Sequence, residues 1–223
     1  MTTGDYLRSI NIASDLKSPS RLAHYQPTQK SLDVIRAVAG GKPSPATLVI
    51  AAYGSGKSLA AAIGGLIVDN SPATWPALEA IAPRLRAVDP RYARALEKRT
   101  EGASRGLVLA LHGHIVDLSA TLASVAGCKP GADLAATLDR IVAQAPRKSI
   151  DRIAIIWDEF GRHLDGLVEQ GRSGDLLAVQ ELAEWAVRQK APTASFTALL
   201  HQSLLAYGGR LSQTARASWR KVE

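Results

Sequence analysis

The sequence predicts an α/β domain in three layers, a mainly parallel sheet covered by helices on both faces. Three observations predict it. Four short apolar runs, at 47–52, 107–111, 153–157 and 195–200, are continuous rather than alternating, as strands buried on both faces require. Segments with helical spacing separate them. Polar and glycine-rich residues collect just past the ends of three runs, at 53–58, 158–159 and 201–202, where ligands of parallel sheets bind.

Residues 1–27 are a mixed, polar N-terminal extension ending in His24-Tyr25-Gln26-Pro27. Thr28 can cap a helix running to about Val38, with Leu32, Ile35, Val38 and Ala39 on one face. Gly40-Gly41-Lys42-Pro43-Ser44-Pro45 stops it. The first strand, 47–52, leads through Tyr53-Gly54-Ser55-Gly56 into a helix from Lys57 to about Val68. Residues 72–100 read as two short helices broken by Pro72, Pro76, Pro83 and Pro90. The second is expected to carry Arg84, Arg86, Arg91, Arg94, Lys98 and Arg99. Helices at about 115–126 and 132–144 follow the second strand. The third strand ends on Asp158-Glu159. A loop at 170–174 precedes a helix that Asp175 caps and that runs to about Gln189. The fourth strand ends on His201-Gln202, and an amphipathic segment runs from Ser212 to the end.

The 223 residues suit one such domain, taken as 28–223 with a helical insertion at about 70–104. At 46% apolar and 21% charged, the chain is neither disordered nor fibrous in composition. Cys128 is the single cysteine, which excludes a disulfide framework within the chain and a multi-cysteine zinc site. A reducing cytoplasm is the expected location. The N-terminus lacks a signal-peptide pattern, and the apolar stretches are too short to span a bilayer, so no membrane partner is expected. The net charge of +7 fits an anionic partner, nucleotide or nucleic acid among them, or a solvated basic surface. Four Trp, five Tyr and two Phe leave few stacking platforms for single-stranded nucleic acid.

Ala51-Ala52-Tyr53-Gly54-Ser55-Gly56-Lys57-Ser58 carries the strongest chemical signal. Gly54 and Gly56 allow the backbone to turn its N–H groups inward as an anion cradle. The following helix adds its positive dipole end. Lys57 can reach β- and γ-phosphates, and Ser58 can ligate Mg²⁺. A plain strand–turn–helix gives no reason for Lys57 at a helix start, where its charge opposes the dipole. At the end of the third strand, Asp158 would hold the metal through water and Glu159 would orient and polarise an attacking water. The pair favours a hydrolase over a protein that only binds nucleotide.

These segments resemble P-loop NTPases of the additional-strand division, most closely the AAA+ group and its relatives. Residues 51–58 are similar to their Walker A motif and 153–159 to their Walker B motif. The resemblance implies that Gly54, Ser55, Gly56, Lys57, Ser58 and Leu59 bind ATP, that Ser58 and Asp158 hold Mg²⁺, and that Glu159 and Lys57 are catalytic. Leu199-Leu200-His201-Gln202 sits where AAA+ proteins carry sensor 1, which implies that Gln202 or His201, with Gln202 ahead, contacts the γ-phosphate or the attacking water. Tyr25, just before the first helix, stands where related ATPases hold the base and could stack on adenine. The chain also resembles ATPase modules of large bacterial defence or DNA-processing proteins.

Two departures from the group follow. Only about twenty residues follow Gln202, too few for a fifth strand and a C-terminal lid. The separation of Lys57 from Asp158 exceeds what a compact core needs, hence the insertion at 70–104. The chain is therefore expected to be the N-terminal part of a longer protein, with Arg210, Arg216 and Arg220 as its own candidates for an arginine finger. The expected function is Mg²⁺-dependent ATP hydrolysis driving conformational change in a homo-oligomer or larger assembly, with DNA as one possible partner. The alternative is a nucleotide-dependent switch or scaffold with little turnover; a small-molecule kinase lacks its arginine-rich lid. His112-Gly113-His114 with Asp117 is not promoted to a metal site, nor Cys128 to a nucleophile. The arginines at 84–99 either track DNA phosphates or form a solvated helix face. Trp157 and Trp185 are expected in the core.

Overall fold

The structure, a computed structural model, describes residues 10–40, 44–102, 104–170 and 176–207. Each apolar run folds as a strand: β1 (Ala46–Ile50), β2 (Arg105–His112), β3 (Ile150–Asp158) and β4 (Thr193–Leu200). They form one sheet in the order β1-β4-β3-β2, and every pair is parallel. β1 therefore lies beside β4, and β4 beside β3. β1 ends two residues earlier than the apolar run, although the Ala51 N–H still donates to Leu200 O at 3.1 Å.

On the N-terminal side of the chain lie α1 (Ile12–Asp15), α2 (Gln29–Val38), α3 (Lys57–Asp69), α4 (Trp75–Val88) and α5 (Pro90–Glu101). Thr28 and Ser31 form a reciprocal capping box that starts α2. Asp89 starts α5, accepting from the N–H groups of Arg91 and Tyr92 at 2.9 and 3.0 Å. Further on come α6 (Leu118–Ala126), α7 (Leu134–Val142), α8 (Phe160–Glu169), α9 (Leu176–Arg188) and α10 (Leu204–Tyr207). Asp117 and Asp133 cap α6 and α7 through the N–H groups of Ala120 and Ala136, each at 2.8 Å.

Side chains of β3 alternate between two apolar clusters. Ile153, Ile155 and Trp157 join residues of α6 to α10 on one face, whereas Ala154 and Ile156 join residues of α1 to α5 on the other. Helices therefore cover both faces of the sheet. On the second face α2 and α3 approach closely, because a Cβ on Gly64 would lie 2.7 Å from Val38 Cβ.

Several expectations are corrected. Pro83 does not break a helix but lies inside α4. It sits on the exposed face of the helix, as does Glu79, whose carbonyl loses its intrahelical donor. Arg84 and Arg86 consequently belong to α4, not to the second helix. α8, which follows Glu159 directly, was not expected; its buried Phe160, Leu164 and Leu167 fall at helical spacing. The Asp175 cap, the amphipathic segment from Ser212 and Arg210, Arg216 and Arg220 lie outside the described residues. Among the described residues, no helix is long and apolar enough to cross a membrane.

Candidate functional site

β1 delivers the chain to the carboxyl edge of the sheet, and residues 51–56 turn it back into α3. The turn needs left-handed backbone at two points: φ is +73° at Gly54 and +80° at Gly56, a region that costs other L-residues about 1–2 kcal/mol. Gly56 is also the N-cap of α3 and offers no side chain to it. The first-turn N–H groups of α3 thus start without internal acceptors, an anion-binding arrangement.

The third strand meets this loop across the sheet. Ser58 Oγ, on the first turn of α3, donates to Asp158 Oδ1 at 3.0 Å, joining residues far apart in the chain. Asp158 is buried, and the same Oδ1 accepts from the Glu159 N–H at 2.9 Å. Two hard oxygen donors therefore converge at the loop, a set suited to Mg²⁺, which keeps most of its waters. Glu159 has left-handed backbone, φ +50°, at the junction of β3 with α8. Its carboxylate pairs with Arg162 Nε at 2.8 Å and lies 3.5 Å from His112 Nε2 at the end of β2. The strand end is braced by Trp157, whose Nε1–H donates to Gly113 O at 2.9 Å, and whose ring meets Phe160 edge-on at 4.9 Å.

Lys57 is buried, 7% exposed, and its ammonium bridges the mouth of the loop. It donates to Ala52 O at 3.2 Å and to His201 Nδ1 at 2.8 Å. Burial lowers its pKa, and the nearby carboxylates of Asp158 and Glu159 oppose that shift. His201 comes from the end of β4. Burial and then the Lys57 charge push its pKa down. A neutral ring with Nδ1 as acceptor carries its proton on Nε2, and that buried atom has no hydrogen-bond partner among the described residues. Tyr53 stacks on the His201 ring, centroids 3.3 Å apart, while remaining 74% exposed itself.

The structure thus brings together Gly54, Ser55, Gly56, Lys57, Ser58, Asp158, Glu159 and His201 at one edge. Leu59 follows them on α3, half-buried. It does not bring Gln202: that residue is exposed, with no hydrogen bond to the loop among the described residues. Tyr25 is 8% exposed and packed into the cluster beneath α2 and α3, so its ring has no open face for a base. Arg84 donates to Ala23 O and Tyr25 O, Arg86 pairs with Glu97, and Arg99 pairs with Asp151. Arg84 and Arg99 are held by partners within the fold, whereas Arg86 stays on the surface, 58% exposed, in its pair with Glu97. His114 lies by Gln170 and the His163 ring, apart from His112. Sequence reasoning missed Arg162 and His112 as neighbours of the site, and the stacking of Tyr53 on His201. The i,i+3 spacing of Glu159 and Arg162 was the available signal for one of them.

Comparison with protein-family models, with curated proteins and with solved structures gives no match for this chain.

Proposed function

We propose that the chain is a Mg²⁺-dependent ATPase of the P-loop type, acting in the cytoplasm as a module of a larger assembly. The observation that carries this reading is the 3.0 Å contact of Ser58 with Asp158 beside Lys57, in a turn whose two glycines are left-handed. Lys57 and the N–H groups of 54–58 would bind the β- and γ-phosphates. Ser58 and Asp158 would hold Mg²⁺, which, when bound, neutralises charge developing on the phosphate oxygens. Glu159 would accept the proton of the attacking water once its carboxylate leaves Arg162. His201 Nε2–H, buried and without a hydrogen-bond partner among the described residues, lies at the same edge and would suit a phosphate oxygen better than the exposed Gln202. For either role, Lys57 must give up its bond to His201.

Turnover of Mg·ATP on the full chain, wild type beside Glu159→Gln and Lys57→Ala, tests the reading. Glu159→Gln is expected to bind ATP and lose turnover, and Lys57→Ala to lose binding. Unchanged ATP binding by Lys57→Ala would sink it. Binding without turnover in the wild type would favour a nucleotide-dependent switch, a reading supported by the Arg162 pairing that occupies Glu159. Stimulation by duplex DNA would identify DNA as a partner.

A further inference from the structure

A second feature lies at the far edge of the sheet. β2 pairs with β3 on one side only, and among the described residues no strand pairs with its other side. A groove of about 590 Å³ runs along that free edge. Its floor is the edge itself, with Leu107, Val108 and Ala110 half-buried. Leu16, from the layer of α1 to α5, forms one wall, and Val125, 43% exposed on α6, forms the other. The slot is therefore framed by both helical layers, with main-chain donors and acceptors of one strand along its base. An incoming strand would sit about 4.8 Å from β2 and read those groups at a rise of about 3.3 Å per residue.

The charge on the groove is mainly positive. Lys17, Arg105 and Lys148 line it, all exposed. Lys17 and Arg105 have no acidic partner among the described residues, and Lys148 donates only to Gln144 Oε1, at 2.8 Å. Among the described residues one acid lines it, Asp69, which accepts from the Ser71 hydroxyl at 2.5 Å and offsets one of the three cations. Long free edges are ordinarily covered or blunted. Here cations blunt the edge against basic or neutral chains while attracting acidic ones.

We propose that the free edge of β2 docks an extended acidic peptide segment of a partner protein, which joins the sheet as a fifth strand. Main-chain bonds to β2 supply affinity; apolar side chains at alternate positions share one face and pack on Leu107 and Val125, and the acidic residues between them point to the other face, toward Lys17, with Arg105 and Lys148 at the start of the strands. Nucleic acid would satisfy the cations but would leave the strand edge and the apolar floor unmatched.

A fluorescently labelled heptapeptide alternating Val and Glu, titrated onto the full chain and followed by anisotropy, tests this without nucleotide. Saturable binding is expected, lost at least tenfold when Lys replaces Glu in the peptide. N-methylating alternate peptide amides in one phase should weaken binding at least tenfold, and in the other phase leave it unchanged, because only one edge of the added strand faces β2. The double variant Arg105→Glu, Lys148→Glu, checked for an unchanged melting curve, should also lose at least tenfold. Absence of saturable binding, or equal binding by both N-methylated peptides, overturns the proposal. So does duplex DNA that displaces the peptide from the wild type and fails to bind the double variant, since the groove is then a polyanion site. A dimer in sedimentation that the peptide dissociates would reassign the edge to a second copy of the chain.

Discussion

Truncating Arg99 tests how α3 is anchored. The side chain is 8% exposed and makes four hydrogen bonds. Nε donates to Ile67 O and Nη2 to Val68 O, both at 3.0 Å, and Nη1 and Nη2 donate to the Asp151 carboxylate at 2.8 and 3.0 Å. Ile67 and Val68 lie in the last turn of α3, where carbonyls lack intrahelical donors. Arg99→Ala strips a charged donor from both, at about 1–2 kcal/mol each. Asp151 is 43% exposed and rehydrates, so its pair adds less than about 1 kcal/mol. The expected loss is about 3 kcal/mol, or a fall in melting temperature of about 6–12 °C for a chain of this length. Arg99→Lys keeps the charge but not the planar fork and should recover about half. Urea unfolding followed by circular dichroism, with an unchanged slope, measures both. A loss below about 1 kcal/mol for the alanine variant, or full recovery by lysine, would refute the assignment.

Three further outcomes are expected. Arg162→Ala frees Glu159 from an exposed ion pair worth under about 1 kcal/mol, so ATP turnover should rise by up to about fivefold with ATP affinity unchanged; steady-state kinetics that show a fall would contradict this. Because the folded chain holds the His201 pKa below 6.5, the unfolded chain binds the extra proton first as pH drops. Stability is therefore full above pH 6.5 and falls below it, and His201→Gln should flatten that part of the curve; denaturation midpoints at pH 7.5 and 5.5 check it. Trp157→Phe removes the donor to Gly113 O, a buried bond of 2.9 Å, and should cost about 2 kcal/mol in equilibrium unfolding.

The strands were legible because a parallel sheet with both faces covered demands unbroken apolar runs, and all four runs became strands. The loop and the acidic pair were legible for a chemical reason: a lysine at a helix start and carboxylates at the end of a buried strand cost stability unless partners meet them, and they meet one another's neighbours across the sheet. What escaped depended on contacts between distant segments. Nothing local distinguishes Arg99, folded under α3, from Arg91 on the surface of the same helix. Nothing local says that His201 rather than Gln202 turns toward Lys57, since adjacent residues leave a strand on opposite sides. Pro83 was misread because burial of Ala77, Leu78, Ile81 and Leu85 outweighs the local cost of a proline in the helix. α8 was missed because Gly161 and Gly166 weaken its propensity, whereas packing of Phe160, Leu164 and Leu167 against the sheet decides it.

α3 begins at Lys57 and ends at Asp69, a rod of about 20 Å. Its first turn holds the loop; its last turn abuts β2 so tightly that a Cβ on Gly106 would lie 2.4 Å from Val68 O, and Asp69 itself lines the edge groove. A stiff rod clamped at both ends passes thrust rather than absorbing it. A displacement of the loop would be felt at the margin of the sheet, and a load on that margin would, by the same linkage, be felt at the loop.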